Sequence, residues 1–375
     1  MKKDIGYING LKGIACLGVL FGHYVALYSY SNNIDPIRSN IMDTLSGRYL
    51  SPFFNSAPFW LQLFFVISGY LACLSVRNKE YKASDWIKKI IGRTLRFYIP
   101  LLGASIIIYF MYVICGGWHY HELCSISVNP WICLNYGRDV DFVDALLDPL
   151  RTIVLGVSYF NPMWWCMRNI LCISLGVYFL NIVRKFFDRY FFFIARRNRN
   201  ILEILMYAVV LSALLMINQE SIFAGIVGGA ACIVQKVVSK HHEIEKISGL
   251  VLNMIGLAMI IVLYLICFYK SDYLSAISFA ALLVIIPVTP FINSLFSNVL
   301  FQKLGKISLG IYSFHLPVLY IIGGFYFTQN RNRLDNGILF ISGYIICFVI
   351  TIVLSIVFNM TVEGNVSALI SKVEK

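Results

Sequence analysis

A chain of 375 residues with 59% hydrophobic residues, only 13% charged residues and a mean hydropathy of +0.74 lies far outside the composition of a soluble globular domain. This excludes a free-standing soluble enzyme and predicts an all-α, polytopic bundle whose first partner is the lipid bilayer. The formal net charge of +12 is spread through short loops between apolar runs, so it calls for no nucleic-acid partner.

Apolar runs long enough to span a bilayer fall at 8–30, 57–76, 97–115, 163–183, 201–217, 221–237, 247–268, 273–290, 307–328 and 337–358, which predicts about ten transmembrane helices. With the N-terminus on the cytoplasmic side, 22 of the 31 Lys and Arg residues fall in inside segments. Positive-inside bias then predicts that both termini are cytoplasmic and that the chain is a multi-pass protein of the inner (plasma) membrane. The first run lacks a small-residue cleavage site and reads as an uncleaved signal anchor. Residues 1–375 read as a single membrane-embedded domain with no soluble domain attached, so function is expected in the bundle and its loops. Oligomeric state is not encoded in these patterns.

The first run, YINGLKGIACLGVLFGHYVALYSY, contains Lys12 and His23, eleven residues apart. At about 100° per residue they share one helical face, and at about 1.5 Å per residue they are roughly 16 Å apart along it. Ionisable groups inside a membrane are costly and mark functional sites by default. The plainer alternatives are a snorkelling lysine and a neutral, hydrogen-bonded packing histidine. The second run carries FFVISGYL, in which Ser68 and Gly69 make a small patch suited to close helix packing. In RTLRFYIP, Arg93 and Arg96 share a face at the entry of the third helix, and Pro100 loosens its first turns.

The long loop at 116–162 carries Trp118, Tyr120, Trp131, Tyr136, Tyr159 and Phe160, with four aspartates between 139 and 148. Aromatic rings beside carboxylates suit sugars and equally suit a membrane-interface belt. His119, His121, Glu122 and Cys124 lack a second ligand group at zinc spacing, so no metal is expected. Cys124 and Cys133 share this loop, where an oxidising compartment would permit a disulfide; the other eight cysteines read as small apolar residues in or beside spans. NPMWWCMRN opens the fourth span with Arg168 about one turn inside. LGKISLGIYSFHLPVLY places a second intramembrane histidine, His315, two residues before Pro317, whose missing N–H frees the carbonyl of Ser313 for a nearby donor.

Read together, these strings resemble the acyltransferase-3 family of integral membrane O-acyltransferases, in motif order and spacing from about residue 7 to residue 363. The chain departs from the family's opening motif in having Asn9 and Lys12 where Asp and Arg are usual, and lysine lacks the bidentate fork of arginine. The resemblance implies an acyl-CoA donor, most often acetyl-CoA, as co-substrate with no resident cofactor. It implies as acceptor a hydroxyl of a surface polysaccharide, lipid-linked glycan or similar molecule. On the residues' own chemistry, Lys12, Arg93 and Arg96 are expected to bind the donor's phosphates, and His23 to act as the catalytic base. A covalent acyl-histidine route is the alternative. Ser68, His315 and Arg168 are candidate cavity or substrate-orienting residues. The rival class is a transporter or flippase for a glycan or small anion, with Lys12, His23 and Arg168 lining its path; it would be favoured by inverted repeats, and none is visible.

Overall fold

The computed structural model describes residues 6–28, 57–77, 80–118, 139–190, 192–238, 248–269, 271–330 and 337–373, and among these it is all helical. The helices bearing on function are α1 (Gly6–Tyr28), α2 (Ala57–Val76), α3 (Ala83–Ile114), α4 (Phe142–Leu155), α5 (Trp165–Tyr190), α6 (Phe192–Met216) and α7 (Glu220–Val238). They are followed by α8 (Gly249–Tyr269), α9 (Asp272–Ile285), α10 (Pro290–Phe296), α11 (Val299–Lys306) and α12 (Ser308–Val318). A π-helical turn, Leu319–Gly323, joins α12 to α13 (Gly324–Gln329); α14 (Gly337–Phe358) passes through a second one, Asn359–Glu363, into α15 (Gly364–Val373).

Eight helices among the described residues are long and apolar enough to cross a membrane, or nine if one bent pair counts as a span. Eight of the about ten expected spans have such a helix among the described residues, and the other two differ for local reasons. The fifth expected span falls within α6, whose first turns carry Arg196, Arg197 and Arg199 and leave only Leu205–Met216 apolar. The eighth breaks where Pro287 and Pro290 remove two backbone donors, so that the segments before and after Thr289 meet at 110°.

The described chain forms two compact units. One comprises Met1–Ala15, Pro58–Trp86 and Asn169–Gly305; the other comprises Cys16–Ala57, Ile87–Arg168 and Lys306–Lys375. In the first unit, helices approach until backbones touch. A Cβ on Gly69 would overlap the carbonyl of Gly225, and one on Gly228 that of Val66, so the α2–α7 crossing needs glycine on both sides. The start of α1 packs as closely, with Gly10 against the Phe296 carbonyl and Gly305 against that of Asn9. Within this unit Arg77 and Arg184 both pair with buried Glu203, at 3.1 and 3.5 Å.

The second unit is held by a different set of contacts. Tyr24 on α1 donates to the Phe340 carbonyl at 2.5 Å and lies edge-on to Tyr344, which ties α1 to α14. Gly310 lets α12 lie against α14, since a Cβ there would come within 2.9 Å of Ser355 Cα and Cβ. Ser105 on α3 donates to the Ala145 carbonyl of α4 at 2.6 Å. Helix α4 is closed at both ends: Asp141 accepts from the Asp144 N–H at 2.7 Å, and Gly156, at φ 72°, donates to the Thr152 carbonyl.

Candidate active site

The second unit brings its two membrane histidines together. His23 on α1 and His315 on α12 are 7% and 1% exposed, and their rings lie 5.1 Å apart between centroids. His315 Nε2 is 3.2 Å from His23 Nδ1, a hydrogen-bond distance. The other nitrogen of His315, Nδ1, is 2.8 Å from the Tyr312 carbonyl and 3.1 Å from that of Ile311. His23 in turn bonds the carbonyl of Val19. Each imidazole is thus fixed to its own helix and to the other ring.

Behind His315 the backbone of α12 is open, because Pro317 has no N–H for the Ser313 carbonyl. Fully buried Asn161 fills that gap, its Nδ2 donating to Ser313 O at 3.0 Å and to Tyr312 O at 3.3 Å. Asn161 is itself placed by its Oδ1, which accepts from the Met163 N–H and caps the turn Pro162–Trp164. Ser158 Oγ accepts from the N–H groups of Asn161 and Phe160 and donates to Asp148 on α4. A continuous set of hydrogen bonds therefore runs from Asp148 through Ser158 and Asn161 to the helix turn that presents His315. Tyr312 adds a second tie by donating to the Met163 carbonyl at 2.7 Å, and the Cys166 thiol donates to the Tyr312 hydroxyl.

The remaining expected site residues are distributed as follows. Arg93 and Arg96 lie half-buried on α3 in the same unit, with the Arg93 guanidinium 4.9 Å from the centre of the Phe97 ring. Arg168 also belongs to that unit; it is exposed and donates to the Leu155 carbonyl at 3.4 Å, so it helps cap the C-terminus of α4. Lys12, half-buried, and Ser68 belong to the first unit. Ser68 Oγ donates to the Phe64 carbonyl one turn earlier in α2, the usual bond of a serine inside a helix. The 119–124 cluster and the Cys124–Cys133 pairing lie outside the described residues.

A family model described as an acyltransferase domain matches residues 5–360. The chain belongs to the acyltransferase-3 family. It is therefore a multi-pass membrane acyltransferase, and the matched region contains both histidines and every residue of the hydrogen-bond set behind them. No curated protein and no solved structure matches the chain. In this acyltransferase, sequence reasoning passed over Asn161, Ser158 and Tyr312, and met Asp148 only as one of four aspartates beside aromatic rings. Two signals were available: an Asn before a Pro at a helix start reads as a cap, and a proline inside a helix calls for an outside donor.

Proposed function

We propose that this acyltransferase transfers an acyl group, acetyl from acetyl-CoA, onto a hydroxyl of a surface polysaccharide or lipid-linked glycan. It would act in the plasma membrane with both termini on the cytoplasmic side. The observation that carries the catalytic part is the buried contact between His23 and His315. It holds the His23 imidazole against a second ring, on a helix bearing the family's opening motif, and so supports reading His23 as the base.

In the reaction, His23 takes the proton of the acceptor hydroxyl as its oxygen attacks the thioester carbonyl. The tetrahedral intermediate collapses by breaking the C–S bond, and the CoA thiolate recovers the proton from the His23 imidazolium. Atoms and charge balance without a metal or redox partner. Arg93 and Arg96, on one face of α3, are the candidate cations for the donor's phosphates, and Lys12 of the opening motif is a separate candidate for donor binding. Lysine at position 12 gives a point charge there in place of a fork.

The test is mass spectrometry of surface glycans from a host with and without the gene, beside His23→Ala expressed at equal level. Wild type is expected to add O-acetyl groups and His23→Ala to add none. Hydrolysis of acetyl-CoA by purified protein checks the donor independently of the host's acceptor. A protein that neither hydrolyses acetyl-CoA nor acylates glycans would overturn the donor and acceptor assignment.

A further inference from the structure

The geometry points to a positioning role for His315 that rests on the reading of His23 as the base: His315 selects which nitrogen of His23 carries the lone pair. His315 Nδ1 faces the carbonyl oxygens of Tyr312 and Ile311, at 2.8 and 3.1 Å. Carbonyl oxygens only accept, so Nδ1 of His315 carries the hydrogen. A neutral imidazole has a single N–H, and His315 Nε2 is consequently an acceptor.

That acceptor lies 3.2 Å from His23 Nδ1. Two lone pairs facing each other at this distance would repel, so His23 Nδ1 carries the hydrogen and donates it to His315. His315 bonds the carbonyl four residues earlier, Ile311, through Nδ1, and His23 bonds the carbonyl four residues earlier, Val19. The lone pair of His23 is thereby assigned to Nε2, the nitrogen turned from His315, and this is the atom that accepts the hydroxyl proton. Free histidine in water favours the opposite tautomer, with the hydrogen on Nε2, which could not serve as a base from that atom. The direction of the chain is set at its far end by backbone carbonyls of α12, groups that cannot change protonation. His315 touches neither reacting atom in this scheme; it acts through His23.

The experiment labels all histidines with 15N in the full-length protein in lipid nanodiscs and reads tautomers from two-bond N–H correlations, with His23 assigned by its absence in His23→Ala. There are six histidines in the chain, few enough to resolve. His23 is expected in the Nδ1–H form in wild type and to move towards the Nε2–H form in His315→Phe. In turnover, His315→Phe is expected to lose roughly a hundredfold or more in kcat, the scale of a base held in the wrong tautomer, with KM for the donor little changed. His315→Gln can offer an amide oxygen about where Nε2 stood and is expected to recover most of the loss, which a purely structural role would not predict. A wild-type His23 found in the Nε2–H form overturns the proposal whatever the activity. So does His315→Phe with unchanged tautomer and unchanged kcat. Full turnover by His23→Ala would overturn the base itself, and the two failures are told apart because the tautomer readout does not depend on turnover.

Discussion

Asp148 is buried on α4 and accepts from Ser158 Oγ and, at 2.7 Å, from the Tyr159 N–H. Burial nevertheless pushes its carboxyl up from 3.8 to about 6, against the lowering effect of those donors and of Arg151. The folded protein therefore holds this proton more tightly than the unfolded chain does. The resulting stabilisation is complete below the ordinary carboxylate range and is lost as pH rises through about 6. Thermal unfolding of detergent-solubilised protein should show wild type losing stability relative to Asp148→Asn between pH 4 and 7, with the difference between the two constant below and above that window. Asn161→Leu should cost about 1–3 kcal/mol, since it leaves the Ser313 carbonyl buried without its donor, and it should lower turnover more than donor KM by loosening the turn beneath His315. The freed Ser313 carbonyl was legible in the sequence from Pro317 alone. Its donor was not, because Asn161 lies 152 positions away and no local pattern links the two.

At the scale of elements, α12 owes its seat against α14 to Gly310, where any side chain meets Ser355 Cα and Cβ. Gly310→Val should therefore destabilise by about 1–3 kcal/mol and reduce the yield of folded protein in a fluorescence-detected size-exclusion assay, with any folded fraction showing impaired acylation. Helix existence was legible for the membrane-length runs, since such a run leaves the backbone few alternatives to a helix; α4 was not, because it lies in the stretch read as a loop at 116–162. What the runs could not tell was which of them stay straight and how far they extend. The third expected span, 97–115, belongs to a helix of 32 residues beginning at Ala83, because Asp85 and the lysines that follow are good residues for an exposed helical start but add nothing to an apolar count. The bend at Thr289 was signalled by its two prolines, but its angle depends on tertiary packing.

At the scale of the whole molecule, charge counting treated Arg77 and Arg184 as loop cations that fix orientation. The first unit instead buries both beside Glu203, with Arg77 also donating to the Cys232 carbonyl and Arg184 to the carbonyl of Arg77. Removing the carboxylate would leave two buried guanidinium groups without their counter-charge, so Glu203→Ala should cost about 3–5 kcal/mol, seen as early thermal aggregation; replacing all three by apolar residues should cost much less. The carboxylate could not be found from the sequence because Glu203 sits at the edge of the α6 apolar stretch and 126 positions from Arg77. The proline in α12 bears on how such a molecule assembles. A helix inserted alone with Pro317 holds one main-chain carbonyl open in hydrocarbon, where nothing can bond it. Docking of the Asn161 turn is what closes that carbonyl, so the same defect that weakens α12 in isolation draws it to its neighbour. The histidine pair then reaches its working arrangement only when the segments around it have come together.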